Sequence, residues 1–207
     1  MEQNLENRAQ VCGCVTEQPT FSHRLYGETF YLFTLRVPRL SDCADYLPIT
    51  ASERLMGKSV KKGAFLLVDG QVRSYNKVVH GANRLVVTLF ARQLTVVDST
   101  HNAVNTVRFT GHICKPPVYR MTPFCREITD LLLAVNRSYG KSDYIPAIAW
   151  GRNARFAGTL SVGDCVRVFG RFQSRAYQKR LADGQIQDKI AYEVSIAGME
   201  KVRCPRT

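Results

Sequence analysis

Apolar residues in this chain alternate with polar ones over short stretches rich in Val, Ile, Leu, Phe and Tyr. Alternation of period two places successive side chains on opposite faces of a strand. In the second half it predicts strands at residues 107–113, 131–135, 144–150, 165–172 and 190–196. The first half gives a matching set at 9–15, 30–37, 46–51, 65–72 and 85–90. A short helical stretch fits between the third and fourth strands of each set, at about 153–160 and about 53–56. Five strands with a helix after the third is the order of an OB-fold, a Greek-key barrel. The expected class is all-β, with two tandem OB-folds.

The two sets are copies of one another. Residues 9–54 align without a gap to 107–152, with identities at Gly13/Gly111, Pro19/Pro117, Leu35/Leu133, Val37/Val135, Arg39/Arg137, Asp45/Asp143, Tyr46/Tyr144, Pro48/Pro146, Ala51/Ala149 and Arg54/Arg152. Two residues further along, Gly63/Gly163, Val68/Val168, Gly70/Gly170 and Ser74/Ser174 continue the match. A period of about one hundred residues is the size of a whole small domain, far above the roughly 20–50 residues of solenoid units. Segment 98–105, DSTHNAVN, is polar and without periodicity. The expected division is therefore an N-terminal OB-fold at 1–98, a linker at 99–105 and a C-terminal OB-fold at 106–207.

Charge changes the picture of what the barrels meet. The chain carries 29 Lys and Arg against 17 Asp and Glu, a net charge of +12. Most of the excess lies in the second copy: net +9 over residues 99–207, against +3 over 1–98. Such a balance favours anionic partners, nucleic acid first and acidic membranes second. No apolar run approaches the ~18 residues of a membrane span, and no signal-type apolar region opens the chain, so the expected location is the cytoplasm. The seven cysteines form no C-x-x-C and are odd in number, which reads as thiols in a reducing compartment rather than a zinc site.

The fourth strand of the second copy carries the sharpest local signal. In CVRVFGRFQSRAYQK, Val166, Val168, Gly170 and Phe172 share one face. Arg167, Phe169, Arg171, Gln173, Arg175, Tyr177 and Lys179 share the other. Copy one keeps the parity, with Asp69, Gln71, Arg73, Tyr75 and Lys77 on its polar face. In DYIPAIAWG, the small residues Ala147 and Ala149 share the inward face, leaving Tyr144 and Trp150 outward. Cations that follow phosphates and rings on which unpaired bases stack suit a single nucleic-acid strand, with little dependence on sequence. An ordinary solvated strand face is the competing explanation, and a core tryptophan is the competing one for Trp150.

These blocks resemble a known family. LLLAVNRSYGKSDYIPAIAWGRNA is similar to the second and third strands of bacterial and phage single-stranded DNA-binding proteins. VRFTGHICKPPVYRMTP and GDCVRVFGRFQSRAY are similar to their first and fourth strands, and the likeness runs over about residues 105–200. The resemblance implies base stacking at Tyr139, Tyr144, Trp150 and Tyr177. The matching positions of copy one are Ser41, Tyr46, Ser52 and Lys77, with Tyr75 two residues before the last. Arg171, Arg175 and Lys179 are the expected phosphate contacts, followed by Arg137 and Arg152. Tyr46, Arg73 and Tyr75 give copy one a weaker site or a role in assembly. The resemblance further implies protection of single-stranded DNA in replication, recombination or repair, and a homodimer presenting four OB domains. The sequence ends MEKVRCPRT, a basic segment where many bacterial members carry an acidic tail that recruits repair proteins. Recruitment by that route is not expected, and a phage or mobile element is a fitting source.

No P-loop, H-E-x-x-H or G-x-S-x-G motif is present, and no enzyme activity, catalytic residue, metal or cofactor is expected. Three rivals stay open: a primosome-type OB protein that docks replication partners, a scaffold binding only protein, and an RNA binder, since stacking does not tell ribose from deoxyribose.

Overall fold

A computed structural model describes residues 7–41, 43–79, 81–100, 102–137, 140–180 and 184–203. The first half forms β1 (Asn7–Val15), β2 (Thr20–Leu25), β3 (Glu28–Pro38), β4 (Ala44–Ser52), a single 3-10 turn (Glu53–Leu55), β5 (Phe65–Val79) and β6 (Ala82–Val97). The second half repeats the order as β7 (Asn105–Ile113), β8 (Val118–Met121), β9 (Glu127–Asn136), β10 (Ser142–Trp150), α1 (Arg152–Gly158), β11 (Cys165–Arg180) and β12 (Ile186–Lys201).

Each half closes on itself. β1, β3, β4, β6 and β5 pair in turn and β5 returns to β1. β7, β9, β10, β12 and β11 do the same. The β4–β6 and β10–β12 pairs are parallel and the rest antiparallel, giving two five-stranded OB barrels. Alternation decides what fills them. Phe33, Leu35, Leu47, Ile49, Leu66 and Leu89 are fully buried in the first barrel. Phe109, Leu133, Ile145, Val166, Val168 and Phe172 are fully buried in the second. Side chains of this kind contribute roughly 1.5–3 kcal/mol each when taken out of water. The helix α1 adds Ala154 and Ala157, and Thr129 Oγ1 donates to the Ala154 carbonyl 2.7 Å away to fix it against β9.

The repeated glycine pair Gly70/Gly170 marks a close approach of the barrel strands. A Cβ on Gly170 would land on the Ser195 carbonyl oxygen, and one on Gly70 on that of Phe90. Both glycines sit where a bulge shifts the register between the last two strands.

Three expectations are corrected. The helical stretch of copy one is one 3-10 turn, whereas that of copy two is an α-helix. Strands β2 and β8 extend each β3 and β9 outward and show no alternation to read, being exposed along most of their length. Cys12, Cys14, Cys43, Cys114 and Cys125 are free thiols, but Cys165 is disulfide-bonded. The polar stretch before Asn105 carries no strand among its described residues, while Asn105 itself opens β7.

The barrels are joined through β1 and β7, which pair antiparallel with Ala9 opposite Val107. These are equivalent residues of the two copies, so a pseudo-two-fold axis passes between them and the twelve strands form one continuous sheet. Two reciprocal locks flank the axis. Asp45, fully buried, accepts from Arg39 Nε at 2.8 Å and from the Ser174 N–H at 2.8 Å. Arg39 also donates to the Ser174 carbonyl at 3.2 Å, and the Tyr46 N–H donates to Ser174 Oγ at 2.9 Å. On the other side Asp143, also fully buried, accepts from Arg137 Nε at 2.6 Å and from the Ser74 N–H at 2.5 Å. Arg137 donates to the Ser74 carbonyl at 3.0 Å, and the Tyr144 N–H to Ser74 Oγ at 2.7 Å. The repeated residues Arg39/Arg137, Asp45/Asp143 and Ser74/Ser174 therefore act together, the arginine and aspartate of each barrel holding the serine of the other.

Candidate nucleic-acid interface

Trp150 ends β10, where Gly151 at φ +51° turns the chain into α1. Its ring is 36% exposed and stands between two surface depressions. One, of about 440 Å³, is lined by Arg39, Arg126, Arg171, Gln173, Arg175 and Ser195 together with Trp150. The other, of about 590 Å³, is lined by Met121, Cys125, Arg126, Glu127, Gly151 and Arg155, again with Trp150. Trp150 and Arg126 border both, so the two form one groove divided by an aromatic ring.

Arg39, Arg155, Arg171 and Arg175 of the groove are held by neighbouring side chains. Arg175 makes a two-pronged pair with Glu193, at 2.8 and 3.0 Å, and Glu193 also accepts from Gln173 Nε2 at 2.8 Å. That pairing raises the Arg175 pKa, with burial working against it. Arg175 lies 5.9 Å from the centroid of the Tyr177 ring, which is 39% exposed. Arg171 donates to Gln173 Oε1 at 3.1 Å and lies 3.6 Å from the buried Asp45 of the first barrel. The hydrogen bond from Arg39 to Asp45 raises the Arg39 pKa. Preorganised guanidinium groups lose less freedom on meeting an anion than free side chains do.

Several expected positions fall elsewhere. Tyr144 is exposed, but it stands at the opposite end of β10 from Trp150, six residues or about 20 Å away at strand rise. There its backbone is tied to Ser74, the neighbour of Arg73 and Tyr75 in the first barrel. The aromatics of the second copy are therefore split between the groove and the seam. Arg137 is engaged by Asp143 and Ser74 at that seam. Arg152 is exposed at the start of α1 with no ion pair among the described residues. Gln173, on the polar face of β11 by parity, is buried. Lys179 lies in β11, and Tyr139 lies outside the described residues. Arg39, Arg126 and Ser195 were not expected: Arg39 comes from the other barrel, and Arg126 precedes β9 in a turn with no periodic signal.

The matching surface of the first barrel is built differently. Ser52 stands in place of Trp150 and donates to Glu28, which replaces Arg126. Arg73 lies 4.0 Å over the Phe90 ring and donates to Gln71 at 2.9 Å. Burial chiefly, then the charge of Arg137, lowers the Arg73 pKa. Tyr46 and Tyr75 are exposed, and burial of part of its ring raises the Tyr75 pKa. This surface has Ser52 where the second barrel has its exposed tryptophan. Among the described residues, no group of three His, Cys, Asp or Glu could hold a metal, and no helix is long and apolar enough to cross a membrane.

Fold and groove together define a class: a double OB barrel with an arginine-lined, aromatic-divided groove. Residues 104–202, which span the second barrel, match the model of the single-strand binding protein family. Single-stranded DNA-binding protein A of Bacillus subtilis is 32% identical over 84 residues, 37% of this chain and 49% of that protein. The chain thus spans about half the length of the curated relatives it matches. The fold likeness reaches further. The wild-type single-stranded DNA binding protein of Thermus aquaticus superposes with a TM-score of 0.76 over 98% of this chain and 96% of that one, at 21% identity. A match at 44% identity covers 45% of this chain and 98% of the N-terminal domain of PriB protein from Thermoanaerobacter tencongensis, with a TM-score of 0.40.

Proposed function

We propose that this protein binds single-stranded DNA with little sequence preference, chiefly through the second barrel. The observation that carries this is Trp150 set between two depressions whose walls hold Arg39, Arg126, Arg171, Arg175 and Arg155. Bases stack on Trp150 and Tyr177, the cations meet the phosphates, and Arg152 adds a further cation. Tyr144 continues the site toward the seam, and Tyr46, Arg73 and Tyr75 add a weaker contribution from the first barrel. The protein acts in the cytoplasm, coating strands exposed in replication, recombination or repair, and it catalyses no reaction.

Titration with oligo(dT) tests the reading, because Trp150 is the only tryptophan and its fluorescence reports one site. Quenching that weakens steeply with salt is expected, since each phosphate contact releases counterions. A folded sample with no quenching at low salt would rule it out.

A homodimer of two-barrel chains, presenting four OB domains, is the proposed assembly. Light scattering of the full chain at micromolar concentration should give twice the 23.3 kDa mass. A mass of one chain across the range would remove the dimer.

A further inference from the structure

Resting on the single-stranded DNA reading above, we propose that Arg39, a residue of the first barrel, is a phosphate ligand of the second barrel's groove. Asp45 is the positioning residue that aims it. A guanidinium has five N–H donors. In Arg39, Nε donates to Asp45 Oδ2 at 2.8 Å, and Nη2 donates to Asp45 Oδ1 at 2.5 Å and to the Ser174 carbonyl at 3.2 Å. The two hydrogens of Nη1 have no partner among the described residues. Arg39 lines the same depression as Trp150 and Arg171, and its side chain keeps 26% of its surface. One edge of the fork is anchored and the other is presented to the groove.

The anchor is rigid. Asp45 is fully buried and also takes the Ser174 N–H, so the carboxylate cannot turn away. Its second oxygen lies 3.6 Å from Arg171 Nη1. One buried carboxylate of the first barrel thus organises two guanidinium groups from two barrels along one wall. A fork with a free nitrogen, next to a second arginine and an exposed ring, suits a phosphate oxygen beside a stacked base.

The pseudo-symmetry supplies the comparison that separates this role from a structural one. Arg137, Asp143 and Ser74 reproduce the same lock. Beside them stand Gln71 and the Arg73–Phe90 pair, with Ser52 in place of the tryptophan. If Arg39 only joins the barrels, removing either lock has the same consequence for binding.

The test compares the full-length double variants R39M/D45N and R137M/D143N with the parent, by Trp150 quenching with oligo(dT) at a series of salt concentrations. Both keep the net charge, because each removes a cation and an anion together. R39M/D45N is expected to weaken binding about five- to tenfold and to flatten the salt slope by about 0.7, the share of one phosphate on a single strand. R137M/D143N is expected to stay within about twofold with an unchanged slope. Thermal unfolding of the two variants should agree within a few degrees. Should R39M/D45N not fold, R39Q replaces it, compared with R137Q: the neutral amide can still take one Asp45 oxygen but brings no cation to the phosphate, so the slope falls by the same amount only in R39Q. Equal losses in the two double variants, or an unchanged slope in R39Q, would overturn the role of Arg39 while leaving DNA binding in place. A parent chain that shows no quenching removes the underlying reading instead.

Discussion

Trp150→Ala and Tyr177→Ala should each weaken oligo(dT) binding by about 1–3 kcal/mol, or about 5- to 150-fold. The size follows from what a base loses when the ring beneath it is cut back to a methyl. Trp150 is exposed on the divide between two cation-lined depressions, and Tyr177 follows Arg175 on the same strand face. Neither ring supports the core, so thermal unfolding should move by no more than a degree or two. Tyr46→Ala and Tyr75→Ala should cost less than about threefold, because the first barrel has Ser52 and Glu28 where the second has Trp150 and Arg126. Fluorescence anisotropy of a labelled oligo(dT) measures all four variants, including the one without tryptophan. Equal losses from the two pairs would make the first barrel an equal binding site.

Arg137→Ala should lower stability by about 3–5 kcal/mol. Asp143 is fully buried, and its carboxylate faces Arg137 and the Ser74 N–H. Removing the guanidinium leaves a buried charge with one neutral donor, a larger loss than the net worth of the pair. Urea unfolding followed by far-ultraviolet circular dichroism measures it. The locks and the β1–β7 ladder tie both barrels together, so the loss should displace a single transition for the whole chain. A shift below about 1 kcal/mol, or two separated transitions, would show that the lock contributes little to the union of the barrels. The companion variant R137M/D143N should recover most of the loss, since it removes both charges.

Much of the fold was legible because burial follows alternation. The ten barrel strands announced themselves through inward residues such as Leu35, Ile49, Val166 and Phe172, which see one side of a curved sheet. Strands β2 and β8 gave no such sign, because both of their faces meet solvent over most of their length. The repeat was visible, and so were its identities, but their meaning was not. Ser174 lies 129 residues from Asp45, and no local pattern says that they touch. Parity also failed at Gln173, whose side chain is buried against Glu193 of the neighbouring strand instead of facing solvent. Trp150, Arg171 and Arg175 could be singled out because aromatics and arginines on outward strand faces have a plain chemical reading. Arg39 could not be assigned to their groove, because membership depends on how two barrels meet.

The pairing of β1 with β7 has a consequence for how the protein responds to dilution. Two separate barrels held by one strand ladder and two buried ion pairs would part as their concentration fell below the dissociation constant. Here a short connection of a few residues holds the partners at an effective concentration in the millimolar range or above. The union is then independent of how much protein is present. A joint that cannot be diluted away also relieves each half of having to be identical to the other. Ser52 can replace a stacking ring in one half while Trp150 persists in the other, and the molecule keeps both the frame and the groove.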